Sequence, residues 1–90
     1  MMKKKLMIKN KLGLHARAAA LFVQTANKHE SEILVKAVGG NRRVNGKSIM
    51  GVMMIAAAYN QEILIEAKGK DEREALEELT VLIESKFNEE

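Results

Sequence analysis

The spacing of apolar residues switches between two periods along the chain, and this switching most constrains the fold. In segments 5–9, 31–38 and 62–68, apolar residues recur at every second position: Leu6 and Ile8, then Ile33, Val35 and Ala37, then Ile63, Ile65 and Ala67. This period of two is typical of strands with one buried face. In segment 16–28 and in the residues after Asp71, apolar residues instead recur at helical spacing. The pattern therefore predicts strands and helices that follow one another along the chain.

Turn and cap signals locate two further elements. Gly39-Gly40-Asn41 is a turn signal, after which residues 42–45 can pair back as a short antiparallel strand. Ser48 occupies a position typical of a helix N-cap, before a compact apolar run over residues 49–58. We therefore expect a hairpin and then a second helix between the second and third alternating segments.

The first and last predicted helices each carry one apolar stripe. At the start of the last helix, Asp71 is the expected N-cap residue and Glu74 its capping-box partner. The stripes expected to be buried are Ala19, Phe22, Val23 and Ala26 in the first helix and Ala75, Leu76, Leu79, Leu82 and Ile83 in the last. Both helices therefore have a face that can pack against a sheet.

The predicted order of elements is strand, helix, strand, strand, helix, strand, helix. Each strand buries one face only, which indicates an antiparallel sheet with the helices on one side. The chain has 90 residues, a length that suits one domain over residues 1–90 and leaves little buried area for a deep cavity. The fold class is therefore α+β.

Composition excludes several classes of protein. With no Cys, the chain has no disulfide framework and no cysteine nucleophile. No apolar stretch approaches the roughly 20 residues that cross a bilayer, so we expect a cytoplasmic protein without membrane insertion.

Charge is distributed unevenly along the chain. Residues 1–50 hold 11 of the 15 Lys and Arg and two of the 12 acidic residues, a net charge of +9. Residues 51–90 hold four Lys and Arg and ten acidic residues, a net charge of −6. A basic half suits an acidic partner, a phosphorylated ligand or nucleic acid.

The segment best suited to chemistry is Gly13-Leu14-His15-Ala16-Arg17, between a predicted strand and a predicted helix. His15 then lies at a helix N-terminus, where backbone N–H groups lack helical partners and the macrodipole favours negative charge. Its imidazole offers a neutral, nucleophilic nitrogen near pH 7, and Arg17 adds a planar cation for phosphate oxygens. Together they describe a place to attach and hold a phosphoryl group. The alternative is an ordinary histidine in a cap region beside a solvated arginine.

A second segment, 47–54, combines Ser48 with several methionines. Ser48 can be a structural N-cap, and phosphorylation there would add close to two negative charges at a tolerated position. A short helix cannot bury all the apolar residues of this run, so some should face solvent or a partner.

A metal site shared by His15 and His29 is rejected. Their separation along one helix corresponds to roughly 21 Å of rise, too far for one ion to bridge. His29 is instead interpreted as a helix-end residue that complements the C-terminal dipole.

The two segments, in this order, resemble the HPr family, the histidine phosphocarriers of the bacterial phosphoenolpyruvate-dependent phosphotransferase system. Segment 13–17 matches the family's active-site motif, and segment 47–53 matches its regulatory serine region. The resemblance covers nearly the whole chain. It implies an open-faced sandwich in which a four-stranded antiparallel sheet carries three helices on one side, in the order βαββαβα.

The resemblance also implies roles for single residues. His15 would accept a phosphoryl group on Nδ1 from phosphorylated Enzyme I and pass it to an Enzyme IIA or a regulatory domain. Arg17 would balance the phosphoryl charge, and the backbone N–H groups of Ala16 and Arg17 would bind the phosphoryl oxygens. Ser48 would be the position modified by an HPr kinase/phosphorylase. The residues implied for partner docking are Ile49, Met50 and Met53. A carrier of this kind is not an enzyme, needs no cofactor and is expected to be a monomer.

Two departures from the common family pattern leave alternatives open. Ala18 stands where most members have proline, which restores a backbone N–H. The stretch between His15 and Ser48 is also about two residues longer than in typical members, and the turn over residues 39–41 is the natural place for the excess. Segment 10–13 and the Ala-rich helix start are closer to the nitrogen-branch paralogue, NPr, or to proteobacterial HPr forms, so a nitrogen-branch regulatory phosphocarrier is one alternative. A binding module regulated through Ser48, with an idle His15, is another. A nucleic-acid binder is disfavoured, because the chain lacks a set of exposed aromatic residues for stacking.

Overall fold

The computed structural model describes residues 1–55 and 57–89, which form four strands and three helices. The elements in chain order are β1 (Met2–Met7), α1 (Ala16–Ala26), β2 (Glu32–Ala37), β3 (Val44–Asn45), α2 (Ile49–Ile55), β4 (Glu62–Lys68) and α3 (Glu72–Glu84), and a 3₁₀ turn follows over Lys86–Asn88. The predicted βαββαβα order and the α+β class are confirmed.

The strands form one antiparallel sheet in the order β1-β4-β2-β3. Because β4 lies between β1 and β2, its residue Ile65 pairs with Lys4 on one neighbour and with Val35 on the other. Strand β3 adds a short edge that pairs only with β2. Helix α3 packs on β1 and β4, α2 packs on β2 and β3, and α1 packs against both helices. The result is the expected open-faced sandwich.

The core confirms the predicted stripes with one exception. Every predicted stripe residue of α1 is buried, and Leu82 of α3 is only partly buried, whereas the other four residues of its stripe are buried. The largest fully buried apolar side chains are Phe22, Phe87, Ile8, Ile33, Ile63, Ile65, Leu79, Ile83, Val35 and Val52. This single core fixes how the ends of α1 and α3 lie relative to the sheet.

Helix α1 ends at Ala26, two residues before the predicted end. The N–H of Lys28 bonds to the carbonyl of Thr25 at 3.2 Å, and the N–H of His29 bonds to that of Ala26 at 3.2 Å. These three-residue spacings tighten the chain into a turn. His29 therefore lies beyond the helix rather than in its last turn.

Helix α2 ends at Ile55, although the apolar run continues to Ala58. Ala56 lies outside the described residues. The carbonyl of Ala57 accepts a hydrogen bond from the N–H of Leu14 at 2.9 Å. The end of the run therefore supports the loop before α1 instead of extending the helix.

The capping box predicted for α3 is wrong. Asp71 is the N-cap residue, but its side chain makes no capping hydrogen bond. Its carboxylate instead accepts hydrogen bonds from the backbone of Glu30 and Ser31. Glu72, not Glu74, reaches back along the chain, and its Oε1 accepts the N–H of Gly69 at 3.0 Å. The Asp71 carboxylate therefore bonds to distant backbone groups instead of to the first N–H groups of α3.

Candidate functional site

His15 is the N-cap residue of α1, with extended backbone angles of φ −75° and ψ 179°. Its carbonyl accepts the N–H of Ala19 at 2.8 Å, which begins the helix. Its Nδ1 accepts the backbone N–H of Arg17 at 3.3 Å. One ring nitrogen of His15 is therefore held directly at the positive end of the helix.

The loop that presents His15 is tied down from two sides. Gly13 has φ +69°, and a Cβ there would lie 2.6 Å from the carbonyl oxygen of Ala57. Buried Asn10 donates from Nδ2 to the carbonyl of Gly13 at 2.7 Å. Leu14 is buried in the core. Only glycine combines this left-handed angle with so close a backbone approach, so the sequence places His15 with little freedom.

The second ring nitrogen, Nε2, contacts the carboxylate of Glu89 through Oε2. The other carboxylate oxygen of Glu89 accepts Nδ2 of Asn10 at 3.1 Å. Burial raises the pKa of Glu89, but its hydrogen bonds with His15 and Asn10 outweigh this and lower that pKa below its usual value. Glu89 is therefore held as a carboxylate against the ring.

The segment that delivers Glu89 has an unusual backbone. Lys86, Phe87 and Asn88 have φ of 61°, 56° and 60°, a left-handed region that residues other than glycine seldom adopt. The side chain of Phe87 is fully buried in the core. The apolar anchor thus offsets the backbone strain and turns the chain back from the end of α3 towards α1.

His15 is accessible from solvent. Its side chain is 27% exposed, and the neighbouring Ala16 and Arg17 are exposed. The structure therefore brings the three predicted phosphoryl-binding residues together on the surface, where a second protein can reach them.

Ser48 occupies a different place, at the start of α2. Its Oγ accepts the N–H of Gly51 at 3.1 Å, which confirms the predicted N-cap. Its backbone N–H bonds to the carbonyl of Asn45 at 3.1 Å. The half-buried Ser48 is thus part of the hydrogen bonding that begins α2.

Helix α2 exposes most of its apolar side chains, as its length predicts. Of its residues, only Val52 is buried. The exposed ones include the three predicted docking residues and a fourth that the sequence did not single out: Ile49, Met50, Met53 and Met54. Leu12, in the loop before His15, is 72% exposed. Helix α2 therefore presents exposed apolar side chains to solvent, and it packs beside α1, the helix that begins at His15.

His29 lies outside this site, in a polar cluster at the other end of α1. Its Nδ1 lies 2.9 Å from Asp71 and its Nε2 2.5 Å from Glu78. Burial opposes the charged form, but these hydrogen bonds and the two negative charges raise the pKa of His29. The dipole interpretation is replaced by ion pairs that link the turn after α1 to α3 and its N-cap. In the described part of the chain, no group of three His, Asp or Glu forms a metal site.

A half-exposed histidine at a helix N-terminus, beside an arginine and on an open-faced sandwich, defines the class of small phosphocarrier proteins. A family model described as "PTS HPr component phosphorylation site" matches residues 2–85. The chain belongs to the HPr family of the phosphotransferase system and is a phosphocarrier protein.

Relatives match over nearly their full length. The phosphocarrier protein HPr of Neisseria meningitidis serogroup A is 52% identical over 89 residues, which are 99% of this chain and 98% of the relative. The crystal structure of HPr-C-His from Thermoanaerobacter tengcongensis is 51% identical, covers 100% of this chain and 99% of its own, and superposes with a TM-score of 0.94.

A crystal structure of an HPr dimer from the same organism is 50% identical over 99% of this chain and 100% of its own, with a TM-score of 0.78. A protein similar to this one is thus known as a dimer, and the expectation of a monomer stays a prediction. Within residues 1–55 and 57–89, no helix has the length and apolar character needed to span a bilayer.

Proposed function

We propose that His15 is the residue of this phosphocarrier that receives and releases the phosphoryl group, with Nδ1 as the attacking atom. The observation that carries the proposal is the placement of Nδ1 at the start of α1, where it accepts the N–H of Arg17 at 3.3 Å. A ring nitrogen that accepts a hydrogen bond carries no proton, so it keeps a lone pair that can bond to phosphorus once the N–H of Arg17 moves away. An anion that binds to this nitrogen arrives where helix N–H groups and the macrodipole favour it.

The backbone and side chain of the first turn would hold the phosphoryl group. The N–H groups of Ala16 and Arg17 are among the first donors of α1, which have no partner within the helix. The N–H of Arg17, which donates to Nδ1 of His15, would turn to a phosphoryl oxygen once Nδ1 bonds to phosphorus. The exposed guanidinium of Arg17 can form two parallel hydrogen bonds to phosphoryl oxygens. Arg17 would thereby balance charge without burying the site.

The donor would be phosphorylated Enzyme I and the acceptor an Enzyme IIA. The apolar surface of Ile49, Met50 and Met53 supports this role, since adaptable methionine side chains suit successive docking of different proteins. The excess of Lys and Arg in residues 1–50 suits acidic partners and speeds encounter. With a surface site and no need of a cofactor, the protein would act as a cytoplasmic carrier rather than as an enzyme.

Ser48 would be the regulatory position, modified by an HPr kinase/phosphorylase. A phosphoryl group on Oγ would be tolerated at a helix start but would place about two negative charges beside the apolar surface of α2. Such a charge would oppose docking of acidic partners. Ser48 would therefore act on binding rather than on the chemistry at His15.

The test is incubation of the protein with phosphoenolpyruvate and Enzyme I, followed by intact-mass measurement and treatment with acid. We expect one acid-labile phosphoryl group, which is absent in His15→Ala and present in the control His29→Gln. A folded wild-type protein that gains no phosphoryl group beside an active Enzyme I, or a His15→Ala variant that still gains one, would contradict the proposal.

The same assay addresses the choice between circuits. Enzyme I of the sugar branch and its nitrogen-branch paralogue are supplied in parallel, and initial rates are compared. Preference for the nitrogen-branch donor would assign the protein to that branch, with His15 keeping its role. Binding of partners without phosphorylation by either donor would favour the module regulated through Ser48.

A further inference from the structure

We propose that Glu89 is a positioning residue for phosphoryl transfer, because its carboxylate holds the His15 ring in the tautomer that leaves Nδ1 free to react. The inference rests on the proposed role of His15 and adds to it a residue 74 positions away in the sequence. Glu89 acts through the imidazole and does not itself touch the phosphoryl group.

The neighbours of the two ring nitrogens require the same tautomer. A carboxylate can only accept a hydrogen bond, so the Nε2 that contacts Glu89 carries the proton. A backbone N–H can only donate, so the Nδ1 that accepts Arg17 carries a lone pair. The opposite tautomer would place a proton against the N–H of Arg17 and a lone pair against a carboxylate. Both contacts would then be repulsive.

The carboxylate is itself held in place. Its Oε1 accepts Nδ2 of Asn10 at 3.1 Å, and the same Nδ2 donates to the carbonyl of Gly13 at 2.7 Å. The side chain of Asn10 is buried and that of Glu89 is 14% exposed. Asn10 therefore joins the backbone of the His15 loop to the group that orients the ring.

The backbone before Glu89 supports the proposal that this side chain is held in place against His15. Three successive left-handed residues, Lys86 to Asn88, carry strain that an unanchored segment would relax. Buried Phe87 keeps the turn in place, and the N–H of Glu89 closes it by bonding to the carbonyl of Lys86 at 3.0 Å. The turn thereby directs the side chain of Glu89 onto His15.

The carboxylate also matches the change in charge during transfer. As the Nδ1 lone pair forms the bond to phosphorus, the bond between phosphorus and the donor breaks, and its electron pair leaves with the donor. The ring keeps its Nε2 proton and gains a positive charge, which Glu89 faces directly. In the onward step the Nδ1–phosphorus bond breaks, its electron pair returns to Nδ1, and the ring is neutral again. The Nε2 proton is not exchanged in either step.

The alternative is that Glu89 only fastens the end of the chain to the loop. Three variants separate the two roles: Glu89→Ala removes the contact, Glu89→Gln keeps an acceptor oxygen but removes the charge, and Glu84→Gln removes the same charge from an exposed position of α3. Thermal unfolding shows that each variant is folded. If Glu89→Ala does not fold, the comparison of Glu89→Gln with Glu84→Gln decides.

The first readout is the initial rate of phosphoryl transfer from phosphorylated Enzyme I, with binding of Enzyme I measured separately. We expect Glu89→Ala to slow transfer about tenfold, the factor implied by the loss of one charge-assisted hydrogen bond. Glu89→Gln should be intermediate, and Glu84→Gln should match the wild type. Binding of Enzyme I should stay unchanged in all of them.

The second readout is nitrogen-15 NMR of the His15 ring at about pH 9, where an imidazole is neutral. We expect the Nε2–H tautomer in the wild type and in Glu89→Gln, and a mixture with Nδ1–H in Glu89→Ala. A Glu89→Ala protein with wild-type rate and wild-type tautomer would overturn the inference while leaving His15 as the acceptor. If instead His15→Ala still accepts the phosphoryl group, the proposed function itself fails.

Discussion

Asp71 binds Ser31 twice through one carboxylate oxygen: Oδ1 accepts the backbone N–H of Ser31 at 3.0 Å and its hydroxyl at 2.5 Å. The other oxygen, Oδ2, lies 2.9 Å from Nδ1 of His29. The residue that begins α3 therefore gathers donors from the segment between α1 and β2. The side chain of Asp71 therefore joins the start of α3 to the segment between α1 and β2 instead of capping its own helix.

The Asp71 cluster should give the protein a window of pH for maximum stability. Hydrogen bonds from Ser31 and His29 outweigh burial and lower the pKa of Asp71. The folding stability that ionised Asp71 contributes is therefore present above the pKa of an unfolded-chain Asp, about 3.9, and is lost as pH falls. Contacts with Glu78 and Asp71 outweigh burial and raise the pKa of His29. The folding stability that protonated His29 contributes is therefore complete below about pH 6.5 and is lost as pH rises through the raised pKa. Stability from the cluster should therefore be greatest between about pH 4 and 6.5.

Urea unfolding from pH 2 upwards in steps of about half a unit measures this window. The variant Asp71→Asn should flatten the acid side of the curve, and His29→Gln should flatten the alkaline side. Curves of unchanged shape in both variants would show that the cluster does not link pH to folding.

Leu79→Ala should lower the free energy of unfolding by about 2–5 kcal/mol. Leu79 is fully buried in the stripe of α3, so truncation leaves a cavity in the core. The matched control is Val81→Ala, because Val81 lies on the same helix but is 68% exposed, and its loss should change stability by less than about 0.5 kcal/mol. Equal effects in chemical denaturation would mean that α3 does not bury the face described above.

Gly13→Ala should destabilise the fold more than Gly39→Ala. Both glycines have positive φ, but a Cβ at Gly13 would lie 2.6 Å from the carbonyl of Ala57, whereas nothing lies within 4 Å of one at Gly39. Gly39→Ala is the control, and it should lose only the stability that an alanine costs in a left-handed backbone conformation, about 1–2 kcal/mol. The excess in Gly13→Ala measures the contact with Ala57. This variant should also slow phosphoryl transfer, since the loop that presents His15 must move.

Arg17→Ala should slow phosphoryl transfer about tenfold, from the loss of charged hydrogen bonds to phosphoryl oxygens. It should leave the thermal midpoint nearly unchanged, because Arg17 is exposed and a cation in the first turn of a helix is mildly unfavourable. Lys11→Ala removes another exposed positive charge, from the loop before α1, and should have a small effect on the rate. A large drop in the thermal midpoint of Arg17→Ala would instead assign Arg17 a structural role.

Met50→Ala should weaken binding of Enzyme I without affecting folding. Met50 is 75% exposed, and a docking residue at the centre of an interface contributes more than about 1 kcal/mol, or roughly a fivefold change in Kd. Val81→Ala serves again as the control, since Val81 is an exposed apolar residue on α3. If both variants bind Enzyme I as the wild type does, the surface of α2 is not the docking site.

The sequence predicts most of the fold because the alternating and helical patterns are local. Strand β4 has the predicted bounds, and the stripe of α1 is buried as expected. The periodic patterns do not predict the burial or the partner of a side chain where a long-range contact determines it. Glu66 stands at an outward position of β4 yet is buried, and Arg43 Nε lies 3.3 Å from its carboxylate. Asp71 likewise bonds to residues 30 and 31 instead of to its own helix, which the local pattern does not reveal.

The candidate site was predicted only as far as it is continuous in sequence. His15, Ala16 and Arg17 lie within one segment, so a helix start brings them together. Glu89 and Asn10 reach His15 through tertiary structure, and no spacing in the sequence points to that contact. The left-handed angles of Phe87 and its neighbours are set by burial of one aromatic side chain, which a helical pattern does not reveal.

The turn over Lys86–Asn88 also decides where this protein can be labelled. A fluorophore attached at position 89 would lie beside His15, where it could report phosphorylation by a change in emission but would obstruct an incoming donor. The amine of Met1 instead lies 3.3 Å from Glu72, at the opposite end of α3, about 20 Å away along a 13-residue helix. Surface tethers therefore belong at the Glu72 end of α3, and probes that report phosphorylation belong at its other end, beside His15.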